Sequence, residues 1–495
     1  MRRWLQAARA AWPGRGLAGL AVLAGTLAAL GQEPFGLWWV ALPGYALLVW
    51  LVANRRGAGW LALIGGAAHF ALALNWITEP FLVDAAAYAW MIPFAVVFLS
   101  FGLALFWMAA AMVATRLPRP ALAFALTLTA AEMLRGHVLT GFPWALPGHI
   151  WFHAPVIQTA SLFGGYGLTL LTLLAAAGLS RLRIVPMAGA ALLVAAAWGL
   201  GIRDLSQPDP APRDVTLRLI QPNAEQALKW DPALAQTHFD LLMRLTAEGP
   251  LRDLTIWPET ALPYSLDLHP EIFGMIGGVG HNAPVAIGAQ RMDGDLAWNS
   301  LTVIAPDGAE AARYDKAHLV PFGEYIPAGD VMFRLFGVRA FASQAGAGYS
   351  AGPGPRVVDL GQKLGKVLPL ICYEAVFPQD VRAAPDRADW MLQITNDAWF
   401  GSLTGPFQHA ALARLRAIEM GLPLVRVGNT GVTAVYDARG RTIASLPFQT
   451  EGALDVTLPG ARPPTPYARF GETPVLVLLA GLSLALIRPR HRRVA

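Results

Sequence analysis

The sequence predicts a multi-pass α-helical membrane domain of eight transmembrane helices joined to a layered α/β domain. Three observations carry this expectation: an unusually apolar composition, eight long apolar runs, and a central region where charge and short β-rich segments return. Of 495 residues, 55% are hydrophobic and 14% are charged, against about 25% charged in ordinary soluble domains. Mean hydropathy is +0.43. The net charge of +5 is carried by basic residues that are scattered or gathered at the ends of apolar runs. That pattern reads as membrane topology and argues against a nucleic-acid surface.

Crossing a bilayer takes about 20 mostly apolar residues. Runs of this kind lie near 14–32, 35–53, 58–79, 87–115, 119–134, 157–180, 184–202 and 472–488. The fifth is short and ends on Glu132. The basic start, MRRWLQAARA, reads as the flank of a retained first span because no small-residue cleavage site stands out behind it. Arg2 and Arg3, Arg55 and Arg56, Arg116 and Arg119, Arg181 and Arg183, and Arg488 to Arg493 lie between or beyond these runs. With eight spans all five clusters fall on one side, which the positive-inside rule makes cytoplasmic. The predicted division is a membrane domain over 1–203, an exported domain over 204–470, and a last span with a basic cytoplasmic tail over 471–495.

Between 204 and 470 the pattern changes. VTLRLIQPN (215–223), LTIWPET (254–260), PVAIGAQ (284–290), SLTVIAPDG (300–308), KVLPLIC (366–372), WMLQITND (390–397) and LVRVGNTGVTAVYD (424–437) read as strands. Residues 232–249 and 407–421 read as amphipathic helices. Apolar strands alternating with helices predict a layered α/β domain. The loop RGHVLTGFPWALPGHIWFHAP (135–155) is rich in aromatics, Gly and Pro. It suits an interfacial aromatic belt and equally a loop that shapes a lipid-facing site.

The chain has one cysteine, Cys372. That excludes an intramolecular disulfide and any multi-cysteine zinc or iron–sulfur site. No phosphate-cradling Gly motif or metal cluster is evident, so neither cofactor nor metal is expected. Polar groups sit where apolar strands end: Glu259 in LTIWPET, Lys316 and Glu324 in RYDKAHLVPFGEYIP, Cys372 in LPLICYE. Strand ends are where α/β folds place ligands and catalysis. A cysteine nucleophile needs a base, often a cation beside it, and donors for the developing oxyanion. A glutamate and a lysine supply the first two. Each residue also has an ordinary reading. A lone cysteine after an apolar run is commonly an inert core thiol. Lys316 suits a surface, Glu259 a turn, Glu324 and Glu374 structural ion pairs, and Trp230 packing. His318 and His409 offer a rival Cys–His pair.

WPET, YDKAHLVPFGEYIP and LICYEAVFP, in that order, resemble the three signature blocks of the nitrilase, or carbon–nitrogen hydrolase, superfamily. Seven spans, an exported domain of this kind and one closing span resemble the apolipoprotein N-acyltransferase family. QPNAEQALKW, GFPWALPG, NDAWFG and RLRAIEMGLPLVRVGNTG agree with it. The resemblance implies an αββα sandwich with a Glu259–Lys316–Cys372 triad. It implies a ping-pong acyl transfer from a phospholipid, typically phosphatidylethanolamine, through a Cys372 thioester. The acceptor is the α-amino group of the diacylglyceryl-cysteine that begins an apolipoprotein. Glu259 would be the base. Lys316, with the Tyr373 N–H, would hold the oxyanion. Glu324 would orient Lys316, and Glu374, Trp230 and Trp399 would support the site or bind substrate. The family context implies a monomer in the bacterial inner membrane with its catalytic domain on the periplasmic side. Residues 338–355 and 399–406 are candidate lids, rich in small and turn residues. A tethered amidase and a transporter are the competing functions.

Overall fold

The computed structural model describes residues 12–226, 228–229, 231–262, 269, 271–326 and 348–488. The chain forms two compact units: Met1–Gln207 with Leu403–Gln408 and Pro466–Ala495, and Pro208–Ser402 with His409–Thr465.

In the first unit each of the eight apolar runs contains a helix: Arg15–Ala29, Trp38–Asn54, Ala58–Ala73, Ile92–Ala114, Pro120–Arg135, Ala160–Leu179, Ile184–Leu205 and Thr473–Ile487. Among the described residues, three stretches are long and apolar enough to cross a membrane: Ala85–Ala114, Pro155–Leu179 and Ile184–Leu205. A fourth is added if Ala58–Ala73 and Asn75–Leu82, bent by 67°, form one broken span. The run expected as a single rod over 58–79 therefore turns. Leu74 leaves helical geometry at φ −109°, ψ 27°, and a short 3₁₀ turn at Asn75–Thr78 leads to Pro80, which has no N–H to continue a ladder. Close helix approach rests on small residues, as is usual where apolar helices pack. A Cβ on Gly25 would stand 1.9 Å from the Gly65 carbonyl oxygen, so the helix Arg15–Ala29 tolerates no side chain there.

Glu132 lies in the last turn of the helix Pro120–Arg135, as expected, but is no exposed charge. It is fully buried, as is Arg135, and the two are paired. Arg135 Nε donates to Glu132 Oε2 at 3.1 Å and its Nη2 to the Trp144 carbonyl at 3.0 Å. Nη1 donates to the Phe142 carbonyl. Trp107 Nε1 donates to Glu132 Oε1 at 2.6 Å. The pair thus pins the GFPWALPG loop, whose Trp144 is interior together with Trp151. That interior position departs from an exposed aromatic belt. Removing one partner leaves a buried charge uncompensated, so Glu132→Ala is expected to cost about 3–5 kcal/mol. A thermal melt of the detergent-solubilised protein checks this, and an unchanged melting temperature would refute it.

Among its described residues the second unit holds twelve strands: β1 (Thr216–Gln221), β2 (Leu254–Ile256), β3 (Val285–Asp293), β4 (Leu296–Ile304), β5 (Glu310–Asp315), β6 (Val358–Asp359), β7 (Lys366–Ile371), β8 (Trp390–Thr395), β9 (Leu424–Gly428), β10 (Ala434–Tyr436), β11 (Thr442–Ser445) and β12 (Gly452–Thr457). They form two six-stranded sheets, ordered β12-β1-β2-β3-β4-β5 and β11-β10-β9-β8-β7-β6. The middle of each is parallel, β1-β2-β3 and β7-β8-β9. Alternation along the strands sorts the side chains between faces. Leu217, Leu219 and Ile256 pack with Ile371, Trp390, Leu392 and Val427 between the sheets. Ile220, Val285 and Ile287 pack outward with Phe239, Leu242 and Ile276 of the helices Ala235–Ala247 and Glu271–Val279. On the other sheet Leu368, Leu370 and Leu424 pack with Val381, Ala413 and Ala417 of the helices Pro378–Ala383 and Gly405–Met420. The layers are therefore helix, sheet, sheet, helix.

The run 424–437 is two strands and not one. β9 and β10 are antiparallel neighbours, because the polar Asn429, Thr430 and Gly431 turn the chain between them. Strands β5, β6, β11 and β12 carried too little apolar signal to be expected.

Candidate active site

Three of the residues singled out lie at or just past strand ends. Cys372 directly follows β7 and opens the turn Cys372–Val376. Lys316 directly follows β5, and its N–H bonds the Asn299 carbonyl of β4 at 2.9 Å. Glu259 stands three positions past β2. Its loop lies against β3, with Ala261 N–H donating to the Gly288 carbonyl at 2.7 Å. That approach needs a glycine: a Cβ on Gly288 would be 2.4 Å from Pro258 O and 2.6 Å from Glu259 Cα. Gly288→Ala must push the glutamate loop away. A displacement near 1 Å in a site of this kind costs about 100-fold in rate. The expected outcome is a fall of that order in turnover with a fold retained by circular dichroism, and wild-type turnover would contradict it.

The side chains converge on Lys316. Its Nζ lies 2.8 Å from Glu324 Oε1 and 3.4 Å from Glu259 Oε1. Asn299 Nδ2 bridges the same two oxygens, donating to Glu259 Oε1 at 2.7 Å and Glu324 Oε1 at 3.3 Å. The second oxygen of each carboxylate is held by backbone: Asn396 N–H to Glu259 Oε2 at 2.8 Å, Val320 N–H to Glu324 Oε2 at 2.9 Å. All four side chains are buried. Burial would lower the Lys316 pKa, but Glu324 and Glu259 outweigh it and hold the ammonium well above its ordinary range.

Cys372 is buried and adopts a left-handed backbone, φ +51°, costly for a residue with a Cβ. Its thiol pKa is pushed up, first by burial and then by the Glu259 charge. The Lys316 ammonium and a hydrogen bond with the Thr395 hydroxyl pull the other way. At neutral pH the sulfur therefore rests as a thiol. A buried thiol, a carboxylate and an ammonium in mutual electrostatic contact form a set competent for nucleophilic acyl chemistry.

Glu374, expected as a structural ion-pair partner, is held by hydrogen bonds. One oxygen accepts from Tyr314 Oη at 2.8 Å, Ala317 N–H at 2.7 Å and His318 N–H at 3.2 Å. The other accepts from Ile371 N–H at 2.7 Å. It ties the segment carrying Lys316 to the turn carrying Cys372. Burial raises its pKa, against the pull of these donors. Tyr373 meets His318 and Phe377 edge-on. Trp399 is half-buried on the turn Asp397–Phe400. Trp230 and residues 338–347 of the first candidate lid lie outside the described residues.

The rival Cys–His pair is not formed. His318 stacks on Phe377 and its Nδ1 faces Asp380 at 2.6 Å. His409 Nε2 faces the Cys372 carbonyl, not its sulfur, at 3.0 Å. Sequence reading passed over Asn299, Asn396, Thr395 and Lys229. The signal for Asn299 was a polar residue inside the apolar run of β4. Lys229 is a second buried ammonium, donating to the Glu259 carbonyl at 3.2 Å and Thr260 Oγ1 at 2.9 Å. Its pKa is lowered to about 8 by burial, against the pull of Glu259 and Cys372.

The model of the apolipoprotein N-acyltransferase N-terminal domain matches residues 24–178, and that of the carbon–nitrogen hydrolases matches residues 219–462. An apolipoprotein N-acyltransferase of Bradyrhizobium diazoefficiens is 40% identical, with 96% of this chain and 95% of its own length aligned. Its namesake in Rhodopseudomonas palustris is 38% identical over 95% of each chain. That of Caulobacter vibrioides is 38% identical over 99% of this chain and 97% of its own. These alignments cover the helical and the sheet-bearing regions and leave almost nothing of either partner unaligned. The chain belongs to the apolipoprotein N-acyltransferase family.

Proposed function

We propose that this protein is a phospholipid-dependent apolipoprotein N-acyltransferase working through Glu259, Lys316 and Cys372 by a ping-pong route. The observation that carries this reading is the buried Lys316 ammonium held between Glu259 and Glu324 and electrostatically coupled to the Cys372 thiol. In the first half-reaction Glu259 takes the thiol proton as sulfur attacks the sn-1 ester carbonyl of phosphatidylethanolamine. Lys316 and the Tyr373 N–H stabilise the oxyanion. Collapse breaks the ester C–O bond, the leaving oxygen takes the proton from Glu259, and a lysophospholipid departs. In the second half-reaction the α-amine of the diacylglyceryl-cysteine attacks the thioester and gives its proton to Glu259. The C–S bond breaks, and the sulfur recovers its proton. Glu324 orients Lys316, while Trp230 and Trp399 contact substrate.

Both substrates are lipid-anchored. Transferring a long acyl chain from bilayer to water costs about 0.8 kcal/mol per CH₂, which favours a catalyst fixed in the membrane. We assign the eight apolar helical runs as spans of the bacterial inner membrane, with residues 204–470 periplasmic and both termini cytoplasmic. Two observations support this. The basic clusters alternate in step with eight crossings. The helix Ile184–Leu205 leaves Ile184, Val185 and Leu192 more than two-thirds exposed, at 87%, 82% and 71%, as a lipid-facing helix does.

Mass spectrometry of the purified protein after incubation with phosphatidylethanolamine vesicles tests the reading. The expected result is one added acyl chain on Cys372, released by hydroxylamine and by a diacylglyceryl peptide. Ammonia release from amides, with no acyl adduct, would instead establish an amidase.

A further inference from the structure

Behind the nucleophile lies a closed ring of buried hydrogen bonds that the acyl-transfer steps leave unused. The Cys372 carbonyl accepts from Gln393 Nε2 at 2.9 Å and faces His409 Nε2 at 3.0 Å. His409 Nδ1 stands 2.9 Å from Asp397 Oδ1. Arg426 Nη2 donates to Asp397 Oδ2 at 2.5 Å, and Arg426 Nη1 to Gln393 Oε1 at 2.5 Å. The path from the Cys372 carbonyl through Gln393, Arg426 and His409 returns to where it began, with Asp397 anchoring Arg426. All four side chains are fully buried. They come from β8, β9, the turn after β8 and the helix Gly405–Met420. Thr395 Oγ1 also donates to Asp397 Oδ1, at 3.0 Å, and Gly431 leaves room for the Asp397 carboxylate, which a Cβ would meet at 2.0 Å.

A carbonyl oxygen only accepts, so His409 Nε2 meets it as a donor, and in the neutral ring Nδ1 is then an acceptor that the Arg426 Nη2 at 3.4 Å serves. The carbonyl of Cys372 and the N–H of Tyr373 belong to one planar trans peptide and point in opposite directions. Two donors that hold the carbonyl inward therefore aim the N–H outward. The same grip restrains a residue whose left-handed backbone would otherwise relax.

We propose that His409, together with Gln393, is a positioning residue that aims the Tyr373 N–H at the oxyanion by fixing the Cys372 carbonyl. The proposal rests on the acyl-transfer reading above for its oxyanion. Asp397 and Arg426 hold the imidazole from behind. Burial and the Arg426 charge lower the His409 pKa, against the pull of Asp397. Burial would raise that of Asp397, but Arg426 and His409 bring it to about 2. The carboxylate thus stays an anion wherever the enzyme works.

Two substitutions separate the ends of the ring. In His409→Gln the amide reaches as far as Nε2 and still donates to the Cys372 carbonyl. In His409→Asn the amide reaches only as far as Nδ1, keeping a polar group beside Asp397 and losing the carbonyl. With phosphatidylethanolamine in mixed micelles, His409→Asn is expected to form thioester about 100-fold more slowly, as oxyanion donors usually count. Its KM should stay within about threefold, since ground-state binding is untouched. His409→Gln should recover to within about tenfold of wild type. Alkylation of Cys372 by iodoacetamide involves no oxyanion and should stay within about threefold in both variants. Wild-type acylation by His409→Asn would overturn the inference. So would acylation and alkylation falling together in both variants, which is the mark of a collapsed site. A wild-type protein that alkylates but takes up no acyl chain overturns the acyl-transfer reading itself, and is distinct from either result.

Discussion

Cys372→Ala is expected to take up no acyl chain and to lose apolipoprotein acylation by about 10⁴-fold or more, the scale seen when a nucleophile is removed. The chain has no second cysteine, so no other thiol can substitute. The fold should survive. Alanine occupies the same left-handed backbone with the same Cβ, and the sulfur is only one contributor to the core between the sheets. Cys372→Ser should fare almost as badly, because a hydroxyl surrenders its proton to a carboxylate far less readily than a thiol does. Quantifying triacylated product beside a melting curve separates chemistry from folding. A folded Cys372→Ala with wild-type turnover would end the nucleophile assignment.

Glu259→Gln is expected to slow thioester formation by about 10³-fold, within the range for loss of a general base. Glutamine can still accept from the Asn396 N–H, and Lys316 keeps Glu324, so the geometry has reason to persist. The signature lies in pH. Burial is the largest cause of the raised thiol pKa, with the Glu259 charge second. Removing that charge lowers the pKa somewhat but leaves the burial. On the proposed mechanism the variant lacks its base, and the sulfur reacts only as free thiolate. Iodoacetamide alkylation of Glu259→Gln should therefore be slower than wild type at pH 7 and climb with pH through the alkaline range. A neutral plateau equal to wild type would mean that another group takes the proton. Lys316 sets no limit there. Its folded pKa is raised above the ordinary 10.5, so its contribution to stability is fully present below that value. It is lost only as pH rises through the folded pKa.

What could be read in advance follows from range. Hydrophobic periodicity is local, so every strand-like run at 215–223, 254–260, 284–290, 300–308, 366–372, 390–397 and 424–437 overlaps a strand, although β3 runs on to Asp293 and β4 begins at Leu296. Placement of Glu259, Lys316 and Cys372 at or just past strand ends was legible for the same reason. β12 was not, because its residues alternate between half-buried and exposed on an edge that pairs only with β1. The bend after Ala73 was hidden inside a continuous apolar run. Arg135 is one helical turn from Glu132, so their pairing is local, but nothing in the run announces that Arg135 also reaches the Phe142 and Trp144 carbonyls.

By itself the sequence determined the apolar runs, the strand ends and the identity of the single thiol, all of which depend on neighbours a few positions apart. Only the tertiary structure decided what surrounds that thiol. Asn299 serves two carboxylates, one 40 and one 25 positions away. Asn396 reaches Glu259 across 137 positions, and His409 closes on the Cys372 carbonyl across 37. Such contacts are set by how two sheets stack and which strands lie side by side. Buried polar groups must then find partners wherever the packing brings them, and no pattern along the chain encodes the choice.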